Sequence, residues 1–340
     1  MAFQAANCVN RIGELQALRI TDSDLHQFPE KSSRMNATFL IEQLLNGLGY
    51  GFMLFMLAAG LTLIFGVMDT MNLAHGTIFM LGAYFAAELF TRTGSFPLAI
   101  ALAVVLTMVI GALMEIALMR KLYARNHLNQ VVATFGVILI ADDLVKWIWG
   151  PSAVMANTPA ALAGPITLFG DLVYPAYRLL ILAAGLAVAA LLYWIVNRTR
   201  IGMLVRAGAS NRMMAELMGV RVKTVFTLIF VVGAALAGLA GALMGPLTSV
   251  QIGMGESILI PALVVIVIGG IGSVRGCFVA ALLVGLVDTA GRAFITPMLR
   301  SLATPALAAD VGPALASVVM YVLMAVVLSF KPNGLFPARG

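Results

Sequence analysis

FLIEQLLNGLGYGFMLFMLAAGLTLIFGVM, residues 39–68, is apolar for most of its length and is interrupted by Asn46, Gly47 and Gly49. A hydrocarbon core about 30 Å thick takes roughly 20 apolar residues of helix, so this stretch is long enough to cross a bilayer. Outward from it the pattern repeats. Apolar runs follow at roughly 73–90, 96–119, 131–149, 179–196 and 225–247, then two shorter pieces at 258–268 and 277–287, and a last at 315–330. With 61% hydrophobic and 11% charged residues and a mean hydropathy of +1.00, the chain carries more apolar surface than a water-soluble core of its length can bury. The expected fold is all-α and polytopic. It is a bundle of eight or nine transmembrane helices, with one broken or re-entrant segment at 258–268 and a short cytoplasmic helix between the fifth and sixth spans.

Residues 1–35 have another texture. Arg11, Arg19, Lys31 and Arg34 are balanced by Glu14, Asp22, Asp24 and Glu30, and no apolar segment follows an N-terminal charge, so this is no signal peptide. Two readings stay open: a polar N-terminal extension, or a start-site artefact with translation beginning at Met35. The membrane domain is then 36–337, with a tail at 338–340. Cys8 lies in the polar segment and Cys277 in an apolar one, and the pair says nothing about compartment.

The net charge of +6 sits on particular loops. Arg120, Lys121 and Arg125 follow the third span, and Arg198, Arg200, Arg206, Arg212, Arg221 and Lys223 fill the connection between the fifth and sixth. Residues 150–177 carry many Pro and Ala and, apart from the tyrosines, only Asp171 that can ionise. Basic loops face the cytoplasm. Residues 120–130, 197–224 and the C-terminus, with Lys331 and Arg339, are therefore expected inside, and 150–177 and the N-terminus outside. No basic tract with an aromatic platform accompanies the charge, which argues against nucleic acid.

No catalytic set, metal site or cofactor motif is expected: HExxH, GxSxG and the P-loop are all missing from the sequence, and the three histidines are not at ligand spacing. Any energy for transport must come from an ion gradient or a partner. Gradient-driven carriers place ionisable residues deep in spans because burial needs a reason. The candidates are Asp69, Glu88, Glu115, Asp142, Asp143 and Glu256. Glu88, Glu115 and Glu256 fall near span ends, within reach of the headgroups. Asp142 and Asp143 sit deeper in the fourth span and are read either as local pairing, Asp142 with Lys146 at i, i+4, or as a relay.

Three features stand out. In Gly66-Val-Met-Asp-Thr-Met-Asn72-Leu-Ala-His75-Gly76, polar residues break apolar sequence. An interrupted backbone survives in lipid only where protein or water satisfies it, and broken helices can hold a small polar ligand. A plain interfacial turn with a tucked-in histidine is the alternative. The second is Gly269-Gly270-Ile-Gly272-Ser273-Val-Arg275-Gly276 after the short run at 258–268, read either as a re-entrant turn lining a substrate pathway or as a tight ligand-free hairpin. The third is the basic loop, where Met213, Met214, Leu217 and Met218 form an apolar stripe and Gly219 is a helix stop. Such a helix either lies on membrane lipid or docks in a partner's groove. In the sixth span, Ala234, Gly238 and Ala242 and likewise Ala237, Gly241 and Gly245 recur every fourth position, a register for close helix packing.

Taken in order, Gly60-Leu-Thr-Leu-Ile-Phe-Gly66, Met71-Asn-Leu-Ala-His-Gly76 with Met80-Leu-Gly-Ala-Tyr84, Arg206-Ala-Gly-Ala-Ser-Asn-Arg-Met-Met-Ala-Glu-Leu-Met-Gly219, Gly269-Gly-Ile-Gly-Ser273 and Lys331-Pro-Asn-Gly-Leu-Phe336 resemble the permease subunits of bacterial ABC importers for branched-chain and other hydrophobic amino acids, the LivH type. The resemblance covers nearly all of Met35 to Pro337. It implies an inner-membrane permease domain without its own nucleotide site, and therefore not an enzyme. It implies pairing with a second homologous permease, two cytoplasmic ABC ATPases and a periplasmic substrate-binding protein. Asn72, His75 and Gly76 match the family's Asn-x-Ala-His-Gly motif, and they join Gly269, Gly270, Gly272 and Ser273 as candidates for the substrate pathway. The basic loop becomes the ATPase-coupling segment, with Arg206, Arg212, Ala215, Glu216 and Gly219. Leu73 stands where the family often has Phe, and the substrate stays open among branched-chain amino acids, urea, short amides and other small carboxylates. An ion-gradient-driven carrier of the same substrates is the alternative.

Overall fold

In hydrocarbon a segment must bond its own backbone N–H and C=O groups, so long apolar runs fold as helices. The computed structural model describes residues 37–168, 172–210, 212–302 and 304–336; the extension 1–35 and the tail 338–340 fall outside them. The described residues from Ile41 onward belong to one compact unit. Helix α1 is Ala37–Met68, α2 His75–Thr93, α3 Phe96–Met114 and α4 His127–Trp149. After α3 a π-helical turn, Glu115–Met119, runs on into Arg120–Leu122. Helix α5 is Ala176–Arg198, α6 Arg200–Ser210, α7 Arg212–Leu217 and α8 Val222–Met244. Helix α9 is Met254–Gly269, α10 Val274–Leu302 and α11 Pro305–Phe330.

Six of these, α1, α3, α5, α8, α10 and α11, are long and apolar enough to cross a membrane. Helices α2 and α4 are of similar length but carry Glu88 and Arg92, and Asp142, Asp143 and Lys146. Helix α9 has 16 residues, about 24 Å at 1.5 Å per residue, which is short of a hydrocarbon core.

Several boundaries differ from the sequence reading. The run at 277–287 continues to Leu302 because Asp288 and Arg292 need not end it. Four residues apart on α10, they pair through Arg292 Nε–Asp288 Oδ2 at 2.8 Å and a second bond of 3.1 Å. The last helix begins at Pro305, ten residues before Leu315, with Pro at its first turn and Pro313 inside. The basic loop is two helices, α6 and α7. The loop at 150–175 holds a small antiparallel hairpin, β1 (Pro165–Thr167) on β2 (Val173–Pro175), and Val154 bridges Val250.

Helix α1 is the axis: from Gly51 to Ile64 it is buried on all sides. Lipid tails are as apolar as leucine, so close packing rather than hydrophobic expulsion holds helices together here. Small residues allow it. A Cβ on Gly51 would stand 2.9 Å from the Ala281 carbonyl oxygen of α10, one on Gly60 2.8 Å from the Gly233 oxygen of α8, and one on Gly185 of α5 2.4 Å from Phe52. A leucine at Gly51 or Gly60 would force α10 or α8 off the axis.

Loops gather at two ends. At the basic end Arg275, beside the α9–α10 turn, lies over the Tyr193 ring of α5 at 5.7 Å, and Gly66 of α1 abuts Gly272. At the hairpin end Tyr174 donates to Asn46 of α1 at 3.0 Å, and Tyr177 donates to the Leu243 carbonyl of α8 at 2.7 Å.

Candidate functional site

Between α1 and α2 the helical ladder stops for six residues. Asp69 is the only non-glycine at positive φ among the described residues (φ 49°), a conformation that Asp tolerates better than most side chains. The chain beyond it alternates: Asp69 and Met71 face outward, Thr70 and Asn72 inward. Helix α4 satisfies the opened backbone. Gln130 Oε1 accepts from the Met71 N–H at 3.0 Å, and Thr134 Oγ1 accepts from Leu73 N–H at 3.3 Å. Gln130 is itself held by donating to the Leu122 and Arg125 carbonyls. Both side chains lie on the buried stripe of α4, four residues apart. Neither stands out in the sequence by itself; a polar pair at i, i+4 on an otherwise apolar helix face was the available signal.

His75 opens α2 and is fully buried, as is Asn72 at 1% exposure. The imidazole packs against Gly60, where a Cβ would stand 3.0 Å from Nε2. Gly76 meets the first turn of α9: a Cβ on it would lie 2.4 Å from the Gly255 carbonyl oxygen. Further along α2, Gly82 crosses Gly238 of α8, and Gly241 receives the Phe79 carbonyl. Gly238 also receives Thr107 of α3, whereas Gly245 has ordinary contacts at the end of α8.

Polar atoms concentrate around this break. Among the described residues, buried side-chain N and O atoms without a close hydrogen-bond partner belong to Thr62 of α1, Thr70 and Asn72 of the connector, His75, Thr77 and Tyr84 of α2, Asp142 of α4 and Glu256 of α9, with Thr62 in reach of the Cys277 thiol and His75 of the Leu57 backbone. Buried polar atoms in folded proteins are nearly always bonded, and in hydrocarbon an unbonded one is costlier still. Here they run along one connection and the helices that touch it.

Gly269, Gly270, Gly272 and Ser273 form the turn from α9 to α10. Gly270 and Gly272 have φ of 100° and 81°, positions that favour glycine. The turn is clamped by the C-terminal segment: Leu335 and Phe336 N–H donate to the Ile268 and Gly269 carbonyls at 2.8 and 3.1 Å, and Gly334 abuts Gly270. Ser273 Oγ accepts from Gly276 N–H at 3.1 Å, capping α10.

In the basic loop, the Arg206 guanidinium donates to the Val196 carbonyl at the end of α5. Gly219, at φ 83°, ends the segment after α7, its N–H donating to the Glu216 carbonyl at 3.0 Å. Arg212 and Ala215 lie on α7, and their side chains fall outside the described set; Glu216 is exposed, and Leu217 and Met218 expose most of their surface.

Three acidic readings need correction, the first being Glu256, whose carboxylate oxygens are both buried rather than turned to the headgroups. Glu115 does not reach the headgroups: it is fully buried, with Arg120 Nε at 3.1 Å from both oxygens and the Tyr123 and Thr227 hydroxyls donating at 2.9 Å. Lys146 pairs with exposed Asp143 at 3.1 Å rather than with Asp142. Asp288 and Arg292 were passed over because the span was ended at Val287, fifteen residues short of Leu302. At the hairpin end a cavity of about 250 Å³ is lined by Asn46, Tyr50, Met53, Tyr174, Arg178 and Met244, among others. Burial there pushes the Tyr174 phenol up from its ordinary value, against the pull of the Arg178 charge.

A family model described as branched-chain amino acid transport system / permease component matches residues 43–328. The chain is 29% identical over 310 residues to the high-affinity branched-chain amino acid transport system permease protein BraD of Pseudomonas aeruginosa, covering 87% of this chain and 95% of BraD. It is 25% identical over 314 residues to the corresponding permease LivH of Escherichia coli K12, with the same coverage. A probable LivH of Methanocaldococcus jannaschii is 26% identical over 253 residues, 71% of this chain and 77% of that one. No solved structure matches the chain.

Proposed function

Since this chain belongs to the branched-chain amino acid transport permease family, we propose that it is the membrane-spanning subunit of an ABC importer. It moves branched-chain amino acids, or similar small polar substrates such as urea and short amides, from periplasm to cytoplasm. The observation that carries this reading is the run of buried polar atoms without a close hydrogen-bond partner from Thr62 to Tyr84, completed by Asp142 and Glu256, inside an otherwise apolar bundle. A helix bundle that only held itself together would gain by replacing them with apolar groups.

The drive comes from outside the chain. The basic loop, with Arg206, Arg212, Ala215, Glu216 and Gly219, docks on one of two partner ATPases. Helix α6 is tied to the end of α5 through Arg206, so a displaced loop pulls on a membrane helix. The small-residue crossings at Gly60, Gly82, Gly238 and Gly241 let packed helices slide between two arrangements. A second permease completes the membrane unit, and a periplasmic binding protein delivers substrate at the hairpin end. The distribution of Lys and Arg supports an inner-membrane orientation with the basic end and C-terminus inside. Residues 36–337 act as one permease domain.

The test is a mild-detergent pulldown of the tagged chain, with mass spectrometry of what accompanies it. An ATPase and a second permease in near-equal amounts are expected. A chain that comes down alone across several detergents would overturn the coupling assignment and bring an ion-gradient-driven carrier forward.

A further inference from the structure

We propose that the cavity at the hairpin end binds a small aliphatic carboxylate, with the carboxylate at its mouth on Arg178 and the aliphatic chain on its floor. The inference deepens the transport reading above and rests on it for naming that ligand as the branched-chain amino acid on its way in.

The cavity holds about 250 Å³ and is walled by α1, β2, α5 and the end of α8. That is less than the roughly 300–1,000 Å³ of sites for drug-sized ligands, so its occupant is small. At the mouth, side chains from three elements meet at one atom. Asn46 Oδ1 of α1 accepts from the Tyr174 hydroxyl of β2 at 3.0 Å and from the Arg178 guanidinium on the first turn of α5. Thr248, just beyond the end of α8, lines the same cavity. The helices then carry the lining inward. Along α1 it passes from Asn46 through Tyr50 to Met53, about 10 Å of helical rise. Along α5 it passes from Arg178 to Ile181, and on α8, which runs the opposite way, from Thr248 back to Met244. Met53 and Ile181 are 3% and 1% exposed, whereas Arg178 and Thr248 are exposed. The cavity is polar at its mouth and apolar at depth.

Charge and donor count select the ligand. Glu42, one turn before Asn46 on α1, acts on Tyr174, yet Arg178 is bonded to the neutral Asn46 amide and not to that carboxylate. A guanidinium has five N–H donors and no acceptor, so most of its donors are left for a ligand. Asn46 spends its oxygen on Tyr174 and Arg178, and what it can still offer is its amide N–H groups, again donors. Arg178 stands at the N-terminus of α5, where Pro175 supplies no side-chain cap, and a helix N-terminus carries partial positive charge. The mouth therefore calls for an acceptor with negative charge. A carboxylate bonds a guanidinium more strongly than a neutral group does and can engage two of its N–H groups at once. The same charge repels ammonium groups and metal cations. Deeper in, Met53, Ile181 and Met244 favour an apolar chain.

The experiment uses the complex purified through this chain. Thr248→Cys, in a background with Cys8→Ser and Cys277→Ala, places a thiol in the cavity, and its rate of labelling is read with thiol reagents of opposite charge. Relative to a free thiol, the anionic reagent is expected to react about fivefold faster than the cationic one, and Arg178→Gln to abolish the preference. Leucine and 4-methylpentanoate, which is leucine without its ammonium, are expected to slow labelling. The amine 3-methylbutylamine, which is leucine without its carboxylate, is expected to leave it unchanged. Acetate should need at least about tenfold more than 4-methylpentanoate for the same protection, because it has no chain for the floor, and Arg178→Gln should weaken protection about fivefold. Protection by 3-methylbutylamine, protection by sodium sulfate equal to that by 4-methylpentanoate, or unchanged protection in Arg178→Gln would each overturn the site, the second by assigning an inorganic anion. The comparisons among ligands keep Arg178 in place, so they decide the matter even where Arg178→Gln fails to assemble. Liposomes with internal ATP separate this site from the transport reading. Leucine uptake with no protection by any carboxylate sinks the site and leaves transport standing, and protection in a complex that takes up no leucine does the reverse.

Discussion

Glu115 and Asn72 are both buried inside an apolar bundle, yet the first is bonded through both carboxylate oxygens and the second makes no side-chain hydrogen bond at all. Around Glu115 a guanidinium and two hydroxyls close a network that joins the end of α3 to the start of α8. Such a network offsets the cost of burying charge and fixes two helices to each other. Around Asn72 the backbone is supported by Gln130 and Thr134, but the Asn72 side chain is left open. The molecule is thus able to satisfy buried polar groups fully where it needs a joint. Where it leaves them open, the proposed function gives their bonding capacity to what passes. On that proposal the first region is a fastening and the second a path, and each can be tested against the other.

The largest effect is expected at the path. His75→Ala should lower leucine uptake at least about tenfold, some 1.4 kcal/mol in the transport barrier, with the amount of chain in the membrane unchanged. His127, exposed at the start of α4, is the control, and His127→Ala should leave uptake within about twofold, as surface substitutions usually do. A fall in melting midpoint that tracks the loss of uptake would mean His75 is a packing residue against Gly60, and the contrast would break there.

The fastening should answer in stability. Glu115→Gln keeps the volume and removes the charge that Arg120 and the two hydroxyls bond, costing roughly 1.5–3 kcal/mol. Thermal melting of the detergent-solubilised complex reads this loss, while uptake per assembled complex stays near normal. If uptake vanishes with the melting midpoint untouched, Glu115 belongs to the path and the division proposed here is wrong.

Much of this contrast is only half legible in the sequence. Long apolar runs declare the helices, because nothing else can bury that much surface. The polar break at 69–75 and the glycines at 269–272 are visible as interruptions of such runs. What completes them is not visible. Met71 and Leu73 find their acceptors 59 and 61 residues away on α4, and Lys331 to Phe336 closes on the turn at Gly269 from the far end of the chain. Sequence spacing carries no record of which helix lies beside which. The same blindness explains the carboxylates. Asp142 has a lysine at the right helical interval, but Asp143 is the one turned toward it. Asp288 reads as the end of a span until its pairing with Arg292 shows that the helix continues.

Gln130 joins the two regions, since it is a satisfied group that supports the open one. Gln130→Leu would leave the Met71 N–H without its acceptor and the Leu122 and Arg125 carbonyls without a donor, a cost of about 1–2 kcal/mol. Stability and uptake should fall together. Gln130→Glu keeps the acceptor for Met71 and should recover part of the uptake without recovering the bonds to the carbonyls. Identical losses in the two variants would show that the carbonyl side of Gln130, and not its support of the break, is what transport requires.

The smallest effect is expected one residue from a large one. Asp143 and Lys146 are exposed and three residues apart, a pair whose attraction is spread into solvent and offset by side-chain entropy. Asp143→Asn should therefore change stability by no more than about 0.5 kcal/mol and leave uptake as it was. The value of the measurement lies in its neighbour. Asp142 has the same charge on the same turn of α4, but on the buried stripe and without a bond to Lys146. If the two asparagine variants behave alike, proximity to Lys146 governs both, and burial on the stripe means little. If Asp143→Asn is silent while Asp142→Asn stops uptake, a rotation of 100° about one helix axis separates a solvated ion pair from a group that the path depends on.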